Sequence, residues 1–262
     1  MKHVGIDLGT THSALAVVDS DAGAGGIPAR LVAEVLPIEQ LVSFGRTESR
    51  PLLASALHVA VEESEWSVGE FARRRALELP SRSIVSAKSW LSNANVARED
   101  AILPWASDDP TAPRLSPVDA SAAVLCHLVQ NAQRELGPAS AWDVTLTVPA
   151  SFDDVARSLT VRAAERAGLT VRLLEEPIAA FGDFLELGGS TLAPAVQTVL
   201  VVDVGGGTAD FSLLARRSGV EPSFERIATG HHLLLGGDNV DLALGHLLES
   251  RLGEELSPMR FA

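Results

Sequence analysis

Strands that alternate with helices along most of the chain, and one pattern that occurs twice far apart, predict an α/β protein built from two related lobes. The repeated pattern is strand, aspartate, a glycine- and threonine-rich turn, and strand. Val4–Asp19 reads VGIDLGTTHSALAVVD and Val201–Arg216 reads VVDVGGGTADFSLLAR. Solenoid repeats recur every ~20–50 residues, so a copy this distant points to duplicated lobes.

The elements follow in order. Residues 3–8 read as a strand, the turn Gly9-Thr10-Thr11-His12 follows, and residues 13–19 return as a second strand, giving a hairpin. Residues 20–30 are rich in Gly and Ala and read as a loop. Residues 31–70 alternate short apolar runs with Pro, Gly and Ser, which predicts several short strands. Helices are predicted over 69–79 and 82–92, and the four prolines of 104–117 mark a linker or surface loop. A long helix is predicted over 117–136, with Pro117 in its first turn and Gly137-Pro138 as its stop. Strands at 142–148 and 170–174 flank a helix at 153–167, and a helix at 177–187 follows. The apolar strand 198–204, its return strand 209–215 and a helix at 238–252 complete the reading.

Composition narrows the function. The 262 residues carry a net charge of −13, which disfavours nucleic acid in the absence of a long basic run. Arg73-Arg74-Arg75 is the only basic triplet and reads as a solvated helix face. No apolar run approaches the roughly 20 residues of a membrane span, and the N-terminus enters a strand directly instead of resembling a signal peptide. The single cysteine, Cys126, precludes an intramolecular disulfide and reads as core, and a cytoplasmic location is expected. The four tryptophans are scattered and read as packing, and His231-His232 lack neighbours that would complete a metal site. Lysine is rare: Lys2 and Lys88 stand against nineteen arginines, which composition bias alone would explain; the retained internal Lys88 raises the question whether a compact point charge, which arginine cannot supply, is needed there.

Each repeated turn puts an aspartate, Asp7 or Asp203, at the end of a buried strand, with glycines and threonines next. Glycine lets backbone approach a ligand closely, successive N–H groups cradle an anion, and Thr10, Thr11 and Thr208 add hydroxyls. A carboxylate beside such a cradle suits Mg²⁺, which joins one or two carboxylates to substrate phosphates. A single such turn would be read as a tight hairpin. Two, each after strand-Asp, point to a polyphosphate gripped from both sides. Neither a Walker A loop nor a G-x-G-x-x-G turn leading into a helix is present.

On these residues the chain resembles the heat-shock-70 chaperones, within the actin-like ATPase superfamily. IDLGTTHSALAV and VVDVGGGTADFSLL resemble that family's first and second phosphate motifs, and TVPASFDDVARSLTVRAAERAGLTVRLLEEPIAAF (147–181) its lobe-joining segment. LLGGDNVDLAL (234–244) resembles a later Gly-Gly element, and residues 68–91 the stretch that carries a catalytic lysine. The resemblance implies duplicated ribonuclease-H-like lobes with mixed central sheets flanked by helices. The first lobe would span 1–190 with an insert near 39–116, and an incomplete second lobe would span 191–262. It implies an ATPase that drives binding and release of unfolded polypeptides. Its helpers would be a J-domain co-chaperone and a nucleotide exchange factor.

The resemblance also implies roles. Lys88, Glu176, Asp203 and Thr208 would be catalytic, and Asp7, Asp203, Glu176 and Asp210 would lie near Mg²⁺, with Asp210 also near a K⁺ ion. Gly9, Thr10, Thr11, His12, Gly205, Gly206, Gly207, Thr208, Gly236 and Gly237 would contact ATP or ADP. Pro149 and Arg157 would relay between domains, and Arg172 would meet the co-chaperone. Taken singly, Lys88 and Arg157 would read as solvated helix residues and Glu176 as a helix N-terminal acid. His12 stands where asparagine is usual, Ala209 where phenylalanine is, and Glu175 where asparagine is; the 20–30 loop has no counterpart. The stretch that holds adenosine in the family lies beyond Ala262, so weaker nucleotide affinity than in an intact domain is expected. The alternatives are a nucleotide-sensing interaction module and a sugar-kinase-like enzyme of the same superfamily.

Overall fold

The computed structural model describes residues 2–19, 33–61, 65–105, 107–186, 196–217, 223–230, 233 and 235–252. The loop reading at 20–30 and the His231-His232 pair therefore lie outside the described residues.

Strands β1 (Lys2–Asp7) and β2 (His12–Asp19) form the expected antiparallel hairpin. Next come the short strands β3 (Glu34–Val35), β4 (Ile38–Ser43), β5 (Arg46–Arg50), β6 (Leu53–Ala54), β7 (Ala56–His58) and β8 (Ser67–Val68). Helix α1 (Glu70–Glu78), strand β9 (Ser83–Val85) and helix α2 (Ala87–Leu91) follow. The chain continues with α3 (Pro117–Leu136), β10 (Trp142–Val148), α4 (Asp154–Arg166), β11 (Val171–Glu175) and α5 (Glu176–Glu186). The last elements among the described residues are β12 (Thr198–Val204), β13 (Ala209–Arg217), β14 (Ser223–Thr229) and α6 (Gly237–Leu252).

The helix expected over 82–92 is shorter than read. Ile84 and Val85, both β-branched, favour a strand, and β9 pairs antiparallel with β7. The chain then turns at Ser86, whose φ of 56° is left-handed, before α2 begins. β14 was not foreseen. α3 has the predicted bounds, and its N-terminus is closed by Ser116, whose hydroxyl accepts from the Asp119 N–H.

The large sheet has the order β11-β10-β1-β2-β3, with β6 also on β2. β1, β10 and β11 run parallel, in a register that sets Ile6 beside Leu146 and Val148 beside Glu175. Val4, Ile6, Leu15, Val144, Leu146 and Val148 join residues of α3 and α4 in one core. Cys126 is half-buried against it. A second, antiparallel sheet has the order β12-β13-β14. The expectation that Asp203 ends a buried strand is corrected here: Leu200, Val202 and Val204 of β12 are 60%, 51% and 64% exposed. Only alternate residues of β12 gain cover, because successive side chains face opposite sides of a strand.

The polar interior of the 34–91 region has a measurable consequence. His58 is buried, with Nδ1 2.9 Å from the Ser83 hydroxyl, and burial together with Arg75 holds its pKa below the ordinary histidine value. Burial does the same to His127, whose Nε2 lies 2.8 Å from the Glu39 carbonyl. Both groups are therefore more readily protonated in the unfolded chain. Their contribution to stability is present above the unfolded pKa of about 6.5 and is lost as pH falls below it, by up to ~1.4 kcal/mol per pH unit for each histidine. The thermal midpoint is expected to drop between pH 7.5 and 5.5, and His58→Gln is expected to flatten that dependence. An unchanged pH slope in the variant would remove His58 from this account.

Candidate active site between the two sheets

Parallel pairing assembles one side of the site. β1, β10 and β11 all end at the same sheet edge, so Asp7, Thr147–Pro149 and Glu175–Glu176 are brought together from distant stretches. Ligand sites of α/β sheets form outside the carboxyl ends of such strands. The Thr147 hydroxyl donates to Asp7 Oδ1 at 2.9 Å and fixes that carboxylate.

The second hairpin supplies the facing side. Asp203 lies directly opposite Asp210, and the Gly205 N–H donates to the Thr208 carbonyl at 2.9 Å, closing the turn. A cleft of about 540 Å³ lies between the sheets, lined by Asp7, Gly9, Thr10, Thr11, His12, Lys88, Glu176, Asp203, Gly205, Gly206, Thr208 and Asp210. Pro149 also lines it.

Lys88 is not a solvated helix lysine. It is 7% exposed, and its Nζ donates to Glu176 Oε1 at 2.5 Å, joining α2 to the start of α5. Burial raises the Glu176 pKa; the Lys88 ammonium opposes the rise, and Asp7 and Asp203 add to it. Burial likewise raises the Asp203 pKa, with Asp210 and Asp7 contributing in the same direction. Carboxylates crowded in this way, beside backbone turns of glycine, are a donor set that suits a hard divalent cation. Among the described residues, no three His, Cys, Asp or Glu side chains converge closely enough to hold an ion directly. The carboxylates present are compatible with a cation that keeps several of its waters, as Mg²⁺ does.

Three predicted glycines lie behind the cleft. A Cβ on Gly207 would meet Thr10 Cγ2 at 3.3 Å, so Gly207 packs one turn against the other. The α6 N–H groups of Gly237 and Asp238 donate to the carbonyls of Gly205 and Gly206 at 3.0 and 2.8 Å. Gly236 and Gly237 thus brace the Gly205–Thr208 turn, and the first N–H groups of α6 are spent on it. A Cβ on Gly236 would sit 2.4 Å from the Gly206 carbonyl oxygen and 2.6 Å from that of Gly205. Backbone cannot yield by the required amount, so Gly236→Ala is expected to destabilise the protein by about 2 kcal/mol. It should also weaken any ligand held by the turn. Thermal unfolding and ligand titration of the variant check this, and a stable variant with parent affinity would refute it. On the opposite turn, a Cβ on Gly9 would lie 1.9 Å from the His12 carbonyl oxygen.

Other predicted residues fall outside the cleft. Arg172 is exposed and donates to Asp143 Oδ2 at 2.7 Å, and His3 Nδ1 lies 3.0 Å from the same oxygen. Arg157 is not on a free helix face: it donates to Glu175 Oε1 at 2.8 Å and to the Phe152 carbonyl. The basic triplet lies on the exposed side of α1, and Arg73 and Arg74 both reach the buried carboxylate of Glu70. Trp90 and Trp105 form a tilted pair 4.9 Å apart. Arg226 and Glu175, which sequence reasoning did not link, form an ion pair between the two sheets.

The profile of the Hsp70 protein family matches residues 3–256. The chain belongs to the Hsp70 family. Among curated relatives, the "Chaperone protein HscA homolog" of Pseudomonas aeruginosa is 38% identical over 97% of this chain and 39% of that protein. The protein of the same name from Pseudoalteromonas atlantica is 36% identical over 96% of this chain and 38% of its own length. "Chaperone protein HscA" of Proteus mirabilis is 35% identical over 95% and 38%. The chain therefore spans about two fifths of the length of these Hsp70-type chaperones. No helix among the described residues is long and apolar enough to cross a membrane.

Proposed function

We propose that this chain is the nucleotide-binding part of an Hsp70-type chaperone that hydrolyses ATP to ADP and phosphate. The observation that carries this reading is the pair of buried Lys88 and half-buried Glu176, set between two glycine turns and near Asp7 and Asp203. Such a pair suits hydrolysis, the ammonium to offset phosphate charge and the carboxylate to orient water.

In this reading the turns Gly9–Thr11 and Gly205–Thr208 hold the phosphate chain from opposite sides, with Thr10, Thr11 and Thr208 donating hydroxyl protons. Mg²⁺, when bound near Asp7, Asp203, Glu176 and Asp210 through its waters, would neutralise phosphate charge. Lys88 offsets charge on the γ-phosphate, and Glu176 accepts a hydrogen bond from the attacking water. The water oxygen bonds to the γ-phosphorus, the bond to the bridging oxygen breaks, and ADP leaves with that electron pair. Burial makes Glu176 a stronger base than an exposed carboxylate, which favours its holding the water's proton. Asp210 would also lie near a K⁺ ion.

The proposed division is a first lobe over 1–190, with an insert near 39–116, and a second from 191 onward. Pro149 and Arg157 would transmit the nucleotide state to a client-binding domain, and Arg172 would face a J-domain co-chaperone. The clients are proposed to be unfolded polypeptides and the location cytoplasmic, with a nucleotide exchange factor as a further partner. Calorimetric titration with ADP and ATP, with and without Mg²⁺, together with phosphate release, tests the reading. Mg²⁺-dependent binding and release of phosphate are expected. Indifference to Mg²⁺ would sink it.

A further inference from the structure

Glu175 sits at the C-terminal end of β11, next to Glu176, and its side chain is about one fifth exposed (19%). It holds two guanidinium groups that come from opposite sides of the cleft. Arg157 of α4 belongs to the large-sheet side, and its Nη2 donates to Glu175 Oε1 at 2.8 Å. Arg226 of β14 belongs to the small sheet; its Nη2 donates to Oε1 at 2.8 Å and its Nε to Oε2. The Arg226 contact is a two-pronged fork, the strong and directional form of a guanidinium–carboxylate pair.

The strand is shaped for this contact. β14 carries an irregularity opposite Leu213 and Leu214: Leu213 faces Ala228 while Leu214 faces Arg226, so Ile227 is an extra residue. Such bulges bend a strand and re-aim its side chains. Here Arg226 and Phe224, two residues apart on one face, both point at the neighbouring sheet's elements. Phe224 meets Phe181 of α5 edge-on at 4.7 Å, and Arg226 Nη1 donates to the Thr229 hydroxyl at 2.8 Å. The charged fork and the aromatic contact lie side by side where α5 and β11 meet β14.

We infer that Glu175 is a positioning residue, an ionic clamp that fixes the angle between the two sheets and so the spacing of the two glycine turns across the cleft. Its neighbour Glu176 enters the cleft and its β10 neighbour Val148 leads into Pro149, so movement of Arg226 relative to Arg157 is felt at the site. A neutral side chain of the same size would leave two guanidinium groups facing each other without a shared anion, and their repulsion would open the small sheet away from the large one.

The test uses spin labels at Glu135→Cys on α3 and Ser223→Cys on β14 in a Cys126→Ser background. The distance distribution is read without nucleotide in the parent, Glu175→Gln, Arg226→Gln and Arg157→Gln proteins. Glu175→Gln and Arg226→Gln are expected to broaden and lengthen the distribution. Arg157→Gln, which alters only the large-sheet side, should leave it near the parent. The consequence for ligand rests on the proposed nucleotide function: Mg²⁺·ADP affinity is expected to fall about tenfold in Glu175→Gln and in Arg226→Gln, with no further loss in the double variant. Glu175→Asp is expected to recover part of it. Parent-like distances in Glu175→Gln, or losses that simply add in the double variant, overturn the clamp. If the parent itself does not bind Mg²⁺·ADP, the nucleotide reading fails while the distances still decide on the clamp.

Discussion

Replacing Lys88 by methionine is expected to lower ATP turnover by about 10²–10³-fold, the usual effect of removing one preorganised charge-stabilising donor, while nucleotide affinity changes only several-fold. The split follows from geometry. Lys88 enters the cleft from α2, whereas the turns that would grip the phosphates belong to other elements. The same variant strands Glu176, which loses the Lys88 ammonium it pairs with and whose pKa burial already raises. Breaking a buried pair at one end costs roughly 3 kcal/mol because a charge is left uncompensated. Glu176 is expected to take up a proton instead, so the loss of stability should be largest at high pH. The double variant Lys88→Met/Glu176→Gln removes both charges and should regain most of the stability without regaining turnover. Single-turnover phosphate release and thermal unfolding, measured side by side, check the two halves. Turnover within threefold of the parent would remove Lys88 from the mechanism.

The parts of the fold that follow from local pattern were legible in the sequence. α3 is amphipathic over twenty residues with Pro at its start and Gly at its stop, and its bounds match the reading. The two strand-Asp-turn-strand units became two antiparallel hairpins, as their alternation implies. Local pattern fails where tertiary pairing decides. Ser83–Val85 looked helical beside the α2 residues, yet β7 offers it a ladder. β14 was missed because Glu225-Arg226 interrupts its apolar alternation and the extra residue Ile227 breaks its period.

The same division holds for the site. Glycine turns and their aspartates are contiguous motifs and could be read. The partners of Lys88, Arg157 and Glu175 are side chains from remote elements, so nothing near these residues in the chain announced them. Glu175 was visible only as a departure from the asparagine usual in the Hsp70 family. The structure connects that change with Arg226, a residue without any motif around it. Gly236 and Gly237 were recognisable as a motif, but their place behind the turn follows only from the α6 hydrogen bonds to Gly205 and Gly206.

Asp203→Asn is expected to change affinity and stability in opposite directions. In the structure Asp203 opposes Asp210 across the hairpin, and Asp7 approaches from the other side of the cleft. Burial is the largest cost of keeping Asp203 ionised, and the like charges of Asp210, directly opposite on the paired strand, and Asp7 add to it, against the opposing Lys88 ammonium. Its pKa is raised in the folded state, so the folded protein binds a proton more readily than the unfolded chain. Stability contributed by this group is therefore present below the unfolded pKa of about 3.9 and is lost as pH rises through the raised folded value. At neutral pH the ionised side chain is a liability in the absence of a cation, and asparagine relieves it with nearly unchanged shape. The variant should unfold at a temperature equal to or higher than the parent's. The cost falls on ligand binding: with one carboxylate fewer for a divalent ion, Mg²⁺-dependent affinity for ADP is expected to drop about tenfold or more, in the range seen when metal-site support is removed. An Asp203→Asn protein that binds ADP with the parent's affinity and the parent's response to Mg²⁺ would mean that the crowded carboxylates serve some other end.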